Sequence, residues 1–303
     1  MKRLASYLLL GFMKLSGLMP MWWLHFKASG LAFFMTHVIG YRRKVVERNL
    51  NLVFGNIQHK GSFYKNFSDI VVESLKMFSW DADDVESRVD FVNVELLHKL
   101  YDDGRNVVLA SGHMANWEIY ALALPGLVRF DTATIYKKLS DEVIDDALLS
   151  SRNKAGMTIM EMSESRAWMD ARKGEGHGPA LVGYIFDQSP PSPSRAWWTT
   201  FLGVETPFFA GLDNYAKRYD AAVVYAAVTR VYRGRYELEF KLVLEDVSQV
   251  EKGEVLDRCL GFLEEEIVKA PGHWLWSHNR WKHLRPEGSA LHERKFCKFE
   301  SWR

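Results

Sequence analysis

The chain has 303 residues and a formal net charge of +1. That is long enough for one large domain or two small ones with a substantial core, and it lacks the basic excess that would point to nucleic acid. Its 11 Trp, 18 Phe and 12 Tyr suit a protein working at an apolar or interfacial boundary. The two cysteines, Cys259 and Cys297, are too few for a disulfide framework or a cysteine metal cluster and are compatible with a reducing compartment.

Residues 1–46 contain no acidic side chain, and apolar runs at 4–12, 15–24 and 31–39 dominate them. Lys2 and Arg3 before a Leu-rich run mimic a signal peptide, yet no small-residue cleavage site stands out and the apolar pattern continues through Met21, Trp22 and Trp23. Lys14, His25, Lys27 and His37 interrupt it, so no window reaches the roughly 20 apolar residues of a confident span. The pattern predicts a membrane anchor over residues 1–40, either two helices joined at 17–20 lying in one leaflet or a single span. The alternative is a buried amphipathic pair belonging to a soluble core. Tyr41, Arg42, Arg43 and Lys44 form a basic flank that favours the cytoplasmic face and anionic lipid.

Helical spacing is predicted for 42–52, which carries Arg42, Arg43, Lys44 and Arg48, and again for 62–79 and 94–101. Residues 107–110 then form a short apolar, β-branched run suited to a buried strand, and Ser111 and Gly112 allow a tight exit into an apolar helix. His113 sits in that turn. Five residues along a continuous helix rotate a side chain by about 140°, so His113 and Glu118 meet only if the helix starts after the histidine. Glu118 then holds the Nδ1–H and leaves Nε2 free as a base, with free backbone N–H groups of the helix start nearby to steady an oxyanion. The competing reading is an ordinary hydrogen-bonded or exposed pair without chemistry.

Beyond it, strands are predicted at 131–137, 156–161 and 180–186, alternating with helices at 141–154 and 164–173. This alternation predicts an α/β fold with a largely parallel central sheet flanked by helices, whose function gathers at the carboxyl ends of the strands. His113, Lys137 and Asp187 all stand at such ends. Arg152 lies near the end of its helix, where a charge also complements the dipole. Asp187, before Gln188, Ser189 and Pro190, also suits an Asx turn. A proline and serine loop at 190–195 leads to Trp197 and Trp198, residues suited to a lipid interface or to a core. A helix at 211–219, a buried strand at 221–229, a half-exposed strand at 236–244 pairing with it, and a helix at 245–270 complete the pattern. His273, His278 and His283 are spaced by five, which shares no helix face, and no Cys or Asp lies among them, so no metal site is expected.

Gly112, His113, Met114, Ala115, Asn116, Trp117 and Glu118 closely resemble the signature of the lipid A biosynthesis acyltransferase family, a branch of the lysophospholipid acyltransferases marked by His, four residues, then Asp or Glu. Residues 40–51 with Phe54, the segment 197–209, and Trp274, Trp276, Arg280, Trp281 and Lys282 look like further elements of that family, so the resemblance runs nearly the whole chain. The additional Gly and Arg motif of the phospholipid-making branch is not found, which favours the lipid A branch or a relative acting on another glycolipid or aminolipid. The resemblance implies a glycerolipid-acyltransferase-like sandwich over 41–303 behind an inner-membrane anchor, with the catalytic domain on the cytoplasmic face. It implies an O-acyltransferase that moves a fatty acyl group from a thioester, on acyl carrier protein or coenzyme A and with no other cofactor, to a hydroxyl of a lipid A precursor. His113 would be the general base and Glu118 its partner, with Arg152, Asp187, Asn116 and Lys137 at the substrates; many relatives have Tyr-Arg where this chain has Tyr136 and Lys137. The basic helix 42–52 becomes either a dock for the acidic carrier or a solvated face. A non-catalytic lipid-binding relative of the fold is the rival from another class. A hydrolase lacks its Gly-x-Ser-x-Gly elbow here.

Overall fold

The central strands are apolar on both sides because helices cover both faces of the sheet. In β2 (Val107–Ser111) every residue is buried. Val108 and Ala110 enter one core and Val107 and Leu109 the other, as the two-residue period of a strand requires. The computed structural model describes residues 2–80, 82–136, 138, 141–153, 155–173 and 176–296.

Four helices come first: α1 (Lys2–Leu18), α2 (Met21–Phe33), α3 (Arg43–Phe54) and α4 (Lys60–Met77). After α5 (Ala82–Glu86) come β1 (Val89–Val92), α6 (Glu95–Asp102), β2, α7 (Tyr120–Leu127), β3 (Asp131–Tyr136), α8 (Glu142–Asn153), β4 (Thr158–Glu161), α9 (Met162–Asp170) and β5 (Ala180–Ile185). A hairpin of β6 (Trp197–Phe201) and β7 (Val204–Phe208) stands apart from the main sheet. The chain then runs through α10 (Gly211–Arg218), β8 (Ala222–Tyr232), β9 (Arg235–Leu244) and α11 (Glu254–Lys269).

The main sheet has the order β1-β9-β8-β2-β5-β3-β4. Its pairs are parallel except β8 with β9, which are joined through Arg233 and Gly234, the glycine at φ +78°. The α/β architecture with a mostly parallel sheet is the one expected. Its neighbouring strands β2 and β5 are far apart in sequence but in register, Ser111 opposite Ile185, so the turns after them lie side by side. A crevice at such carboxyl ends is where open α/β sheets bind ligands.

Two expectations need correction and a third, left open, is decided. The helix expected over 245–270 begins only at Glu254, after a turn in which Gly253 takes φ +89°. The parallel edge strand β1 and the β6–β7 hairpin were not expected as strands; β1 is four residues with alternating burial and is specified by its pairing with β9 rather than by its own composition. Trp198 is core, its indole N–H donating to the Pro193 carbonyl, and Trp197 stacks on His292 at 3.4 Å.

The two N-terminal helices appear where the apolar runs stand, linked at Met19 and Pro20, and both pack on α4. Among the described residues no helix is long and apolar enough to cross a membrane. The pair nevertheless leaves large apolar side chains outside, Trp22 and Phe26 at 71% and 70% exposure, and Phe12, Leu15 and Phe33 are exposed as well. On its inner side α4 carries two fully buried carboxylates one turn apart. Asp69 pairs with Arg230 and Arg233 of the β8–β9 hairpin, and Glu73 meets His25 of α2.

Candidate active site

At the end of β2 the chain must turn sharply under α11. A Cβ on Gly112 would lie 2.5 Å from Leu263 Cδ1 and 3.3 Å from Asp187 Oδ2, so only glycine fits without displacement. Just before it, Ser111 Oγ donates to the Ala226 carbonyl and meets the Tyr120 hydroxyl at 2.6 Å, tying β2 to β8 and to α7.

His113 follows, and its partner is Asp187. The Asp187 carboxylate, at the end of β5, lies 2.5 Å from His113 Nδ1 through Oδ1 and accepts the His113 backbone N–H through Oδ2 at 2.9 Å. The Trp274 indole N–H also donates to Oδ2, at 2.8 Å. These contacts satisfy a carboxylate that is 2% exposed. With Nδ1 donating to Asp187, Nε2 carries the lone pair and accepts the amide of exposed Gln188 at 3.0 Å. The imidazole side chain keeps 10% of its surface, and Trp117 meets it edge-on at 5.0 Å between centroids.

Burial alone would lower the His113 pKa, but the charge and hydrogen bond of Asp187, with Glu118 adding, outweigh it and hold the imidazole above its ordinary range. Burial likewise pushes Asp187 up, and the His113 charge, the hydrogen bonds from His113 and the Trp274 donor reverse this, leaving the carboxyl well below the usual carboxylate range.

The expected partnership therefore changes hands: Glu118 does not hold Nδ1–H. It sits in the single 3-10 turn Trp117–Ile119 ahead of α7 and forms an ion pair with Arg152 near the end of α8. Both side chains are partly open to solvent, and Glu118 reaches His113 only through its field. Arg152 is thus more than a dipole complement. Asn116, expected at a substrate, is fully buried and donates to Glu73 at 3.0 Å, so it has no surface to offer a ligand. Lys137 lies outside the described residues. The backbone amides of His113 and Ala115 are already engaged, by Asp187 and by the His273 carbonyl, so the supply of free N–H groups expected at the turn is smaller.

The C-terminal tail completes the site. Met114 bridges Trp274, Ser189 N–H donates to His278 Nε2 at 3.0 Å, and the His283 ring lies 3.0 Å from the Pro190 carbonyl. Burial pushes His273 and His278 down to about 4. Among the described residues no cluster of His, Cys, Asp or Glu is arranged to hold a metal. Much of the basic helix α3 is engaged in holding this tail. Arg42 donates to the Ser277 carbonyl, Arg48 to Asn279, and Asn49 to the Trp276 and His278 carbonyls, while Arg43 and Lys60 pair with Glu47. Gln188, Trp117 and Trp274 were not expected at the imidazole. The Trp274 segment carried a family pattern but no hint of which carboxylate it would meet.

A cleft of about 350 Å³ lies between α1 and α8, lined by Tyr7, Leu10, Phe78, Val143 and Ala147 together with the charged Lys14 and Asp146. It does not touch His113, but Ser150, two residues before Arg152, forms part of its wall.

The molecule is thus an α/β protein in which an imidazole is fixed by a carboxylate at the ends of two adjacent parallel strands, with its second nitrogen at an exposed loop. The model of the bacterial lipid A biosynthesis acyltransferase family matches residues 1–283, and the chain belongs to that acyltransferase family. No curated protein matches the chain.

Proposed function

We propose that the chain transfers a fatty acyl group from a thioester, carried on acyl carrier protein, to a hydroxyl of a lipid A precursor or related glycolipid. The observation that carries this reading is the Asp187–His113 pair, whose Nε2 lone pair stands at an exposed loop. The acceptor hydroxyl displaces the Gln188 amide from Nε2 and gives its proton to the imidazole. The oxygen attacks the thioester carbonyl, the carbon–sulfur bond breaks, and the imidazolium returns the proton to the leaving thiolate. Asp187 stabilises the imidazolium, and Glu118 adds to its field. Arg152, balanced by Glu118 in the free protein, turns to an acceptor phosphate or to the developing oxyanion.

The outward apolar side chains of α1 and α2 support seating on the cytoplasmic face of the inner membrane, with the α1–α8 cleft receiving an acyl chain from the bilayer. Lys44, exposed on α3, remains for an acidic carrier. The test incubates purified protein with labelled acyl–acyl carrier protein and a lipid extract and identifies the labelled product by mass. A labelled glycolipid whose formation stops in His113→Ala supports the reading. Label on a phospholipid or aminolipid replaces the acceptor, free labelled fatty acid makes the chain a hydrolase, and no product leaves a lipid-binding relative.

A further inference from the structure

Glu73 lies within the apolar run of α4 and is fully buried. A carboxylate so placed persists only where its acceptor sites are filled, and three elements fill them. His25 Nε2 of α2 lies 2.8 Å from Oε1, Asn116 Nδ2 donates to Oε2 at 3.0 Å, and the Tyr236 hydroxyl of β9 donates to the same oxygen. Two of these partners belong to scaffold elements, and the third belongs to the turn between His113 and Glu118.

That turn is held from outside. Ala115 takes φ +44°, in the left-handed region that a β-carbon disfavours, and its N–H is fixed by the His273 carbonyl. Asn116 comes next and directly precedes Trp117, which packs on the imidazole, and Glu118, which pairs with Arg152. Its side chain is fully buried, and its Oδ1 has no hydrogen-bond partner among the described residues. The firm polar hold on the Asn116 side chain is therefore the bond from its Nδ2 to Glu73; the side chain's other contact, with Met77 sulfur, is 3.9 Å long.

We propose that Glu73 is a positioning residue for the acyl-transfer site: through Asn116 it sets the turn that places Trp117 and Glu118 beside His113. The inference rests on the reading in which His113 and Glu118 serve acyl transfer. Glu73 touches no substrate, and its effect is on the geometry of groups that do.

The test measures steady-state acyl transfer and amide hydrogen exchange of the segment 113–119 in the full chain carrying Glu73→Leu, Glu73→Gln or Asn116→Ala. Misplacement of a reacting geometry lowers turnover more than binding, so Glu73→Leu and Asn116→Ala are expected to reduce kcat by about 10- to 100-fold with KM for the acyl donor changed less than about twofold. Both accelerate exchange in 113–119. Glu73→Gln, which still offers Asn116 an acceptor oxygen, recovers most of kcat and most of the protection. Wild-type exchange in Asn116→Ala overturns the proposal, and so does a kcat loss that only tracks the fraction of folded protein. Should Glu73→Leu fail to fold, Asn116→Ala, which leaves the His25 and Tyr236 bonds in place, decides alone. Should the wild-type chain transfer no acyl group, the functional reading fails, while the exchange data still decide whether Glu73 holds the turn.

Discussion

Among the described residues two histidine–carboxylate pairs are buried, His113 with Asp187 and His25 with Glu73, and their imidazoles are equally enclosed at 10% side-chain exposure. They differ in which nitrogen meets the acid. His113 uses Nδ1, next to the backbone, and leaves Nε2 at the exposed Gln188 loop. His25 uses Nε2, the far atom, with its ring against Gly234 of the β8–β9 hairpin. A carboxylate beside an imidazole is therefore not a sign of catalysis by itself. What distinguishes the two pairs is which ring nitrogen meets the acid and what the rest of the ring faces.

The comparison is broken most severely by His113→Ala, which is expected to lower acyl transfer by about 10²- to 10⁴-fold while the chain stays folded, checked by turnover against circular dichroism. Asp187→Asn comes next. It removes the charge that holds the imidazolium, and a loss of about 10²-fold or more is expected. Its second signature is sharper. Because the base must be neutral, wild-type kcat/KM should climb with pH through a midpoint above the ordinary histidine value of 6.5. In Asp187→Asn, where burial is left to act on the imidazole, that limb should move to lower pH, and an unmoved limb would detach the carboxylate from the titration.

Stability carries the same pair with its own signs. The raised His113 pKa gives a contribution complete below about pH 6.5 and lost as pH rises through the folded value. The lowered Asp187 pKa gives one complete above about pH 4 and lost as pH falls through its folded value. Denaturant midpoints should thus show the largest difference between wild type and Asp187→Asn between about pH 4 and 6.5. His25→Ala strands one Glu73 oxygen and should cost about 1–3 kcal/mol in urea unfolding, with folded protein keeping the pH limb of the wild type. Gly112→Ala is expected to cost about 1–3 kcal/mol, because its Cβ must displace the fully buried Leu263. Unchanged stability there would mean that α11 yields more easily than its packing implies.

The strands β2, β3 and β5 and the histidine turn were legible because each is a local pattern: β2 is an apolar run closed by Ser111 and Gly112, and β3 and β5 are short runs rich in Thr, Ile, Val and Tyr alternating with helical segments. The partner of His113 was not. Glu118 is five residues away and Asp187 seventy-four, and only the strand order brings β5 beside β2. Proximity along the chain therefore favoured the wrong acid for Nδ1, although Asp187 was recognised as a residue at a strand end. Asn116 belonged to the recognised motif, but a motif does not say which of its members faces inward. The basic residues of 42–52 read as an open surface since nothing in that segment signals the tail carbonyls to which Arg42 and Asn49 donate. The late start of α11 was hidden because residues 245–252 contain no glycine or proline, and Gly253 comes only at their end.

The Asp187 carboxylate owes one of its donors to Trp274, and the loop behind it leans on His278. Synthesis runs from the amino end, so the oily surface of α1 and α2 emerges some 250 residues before those two side chains exist. A nascent chain thus holds His113 long before the donors that steady Asp187 and its loop exist, and the pair takes its final geometry only once the segment around Trp274 and His278 has been made.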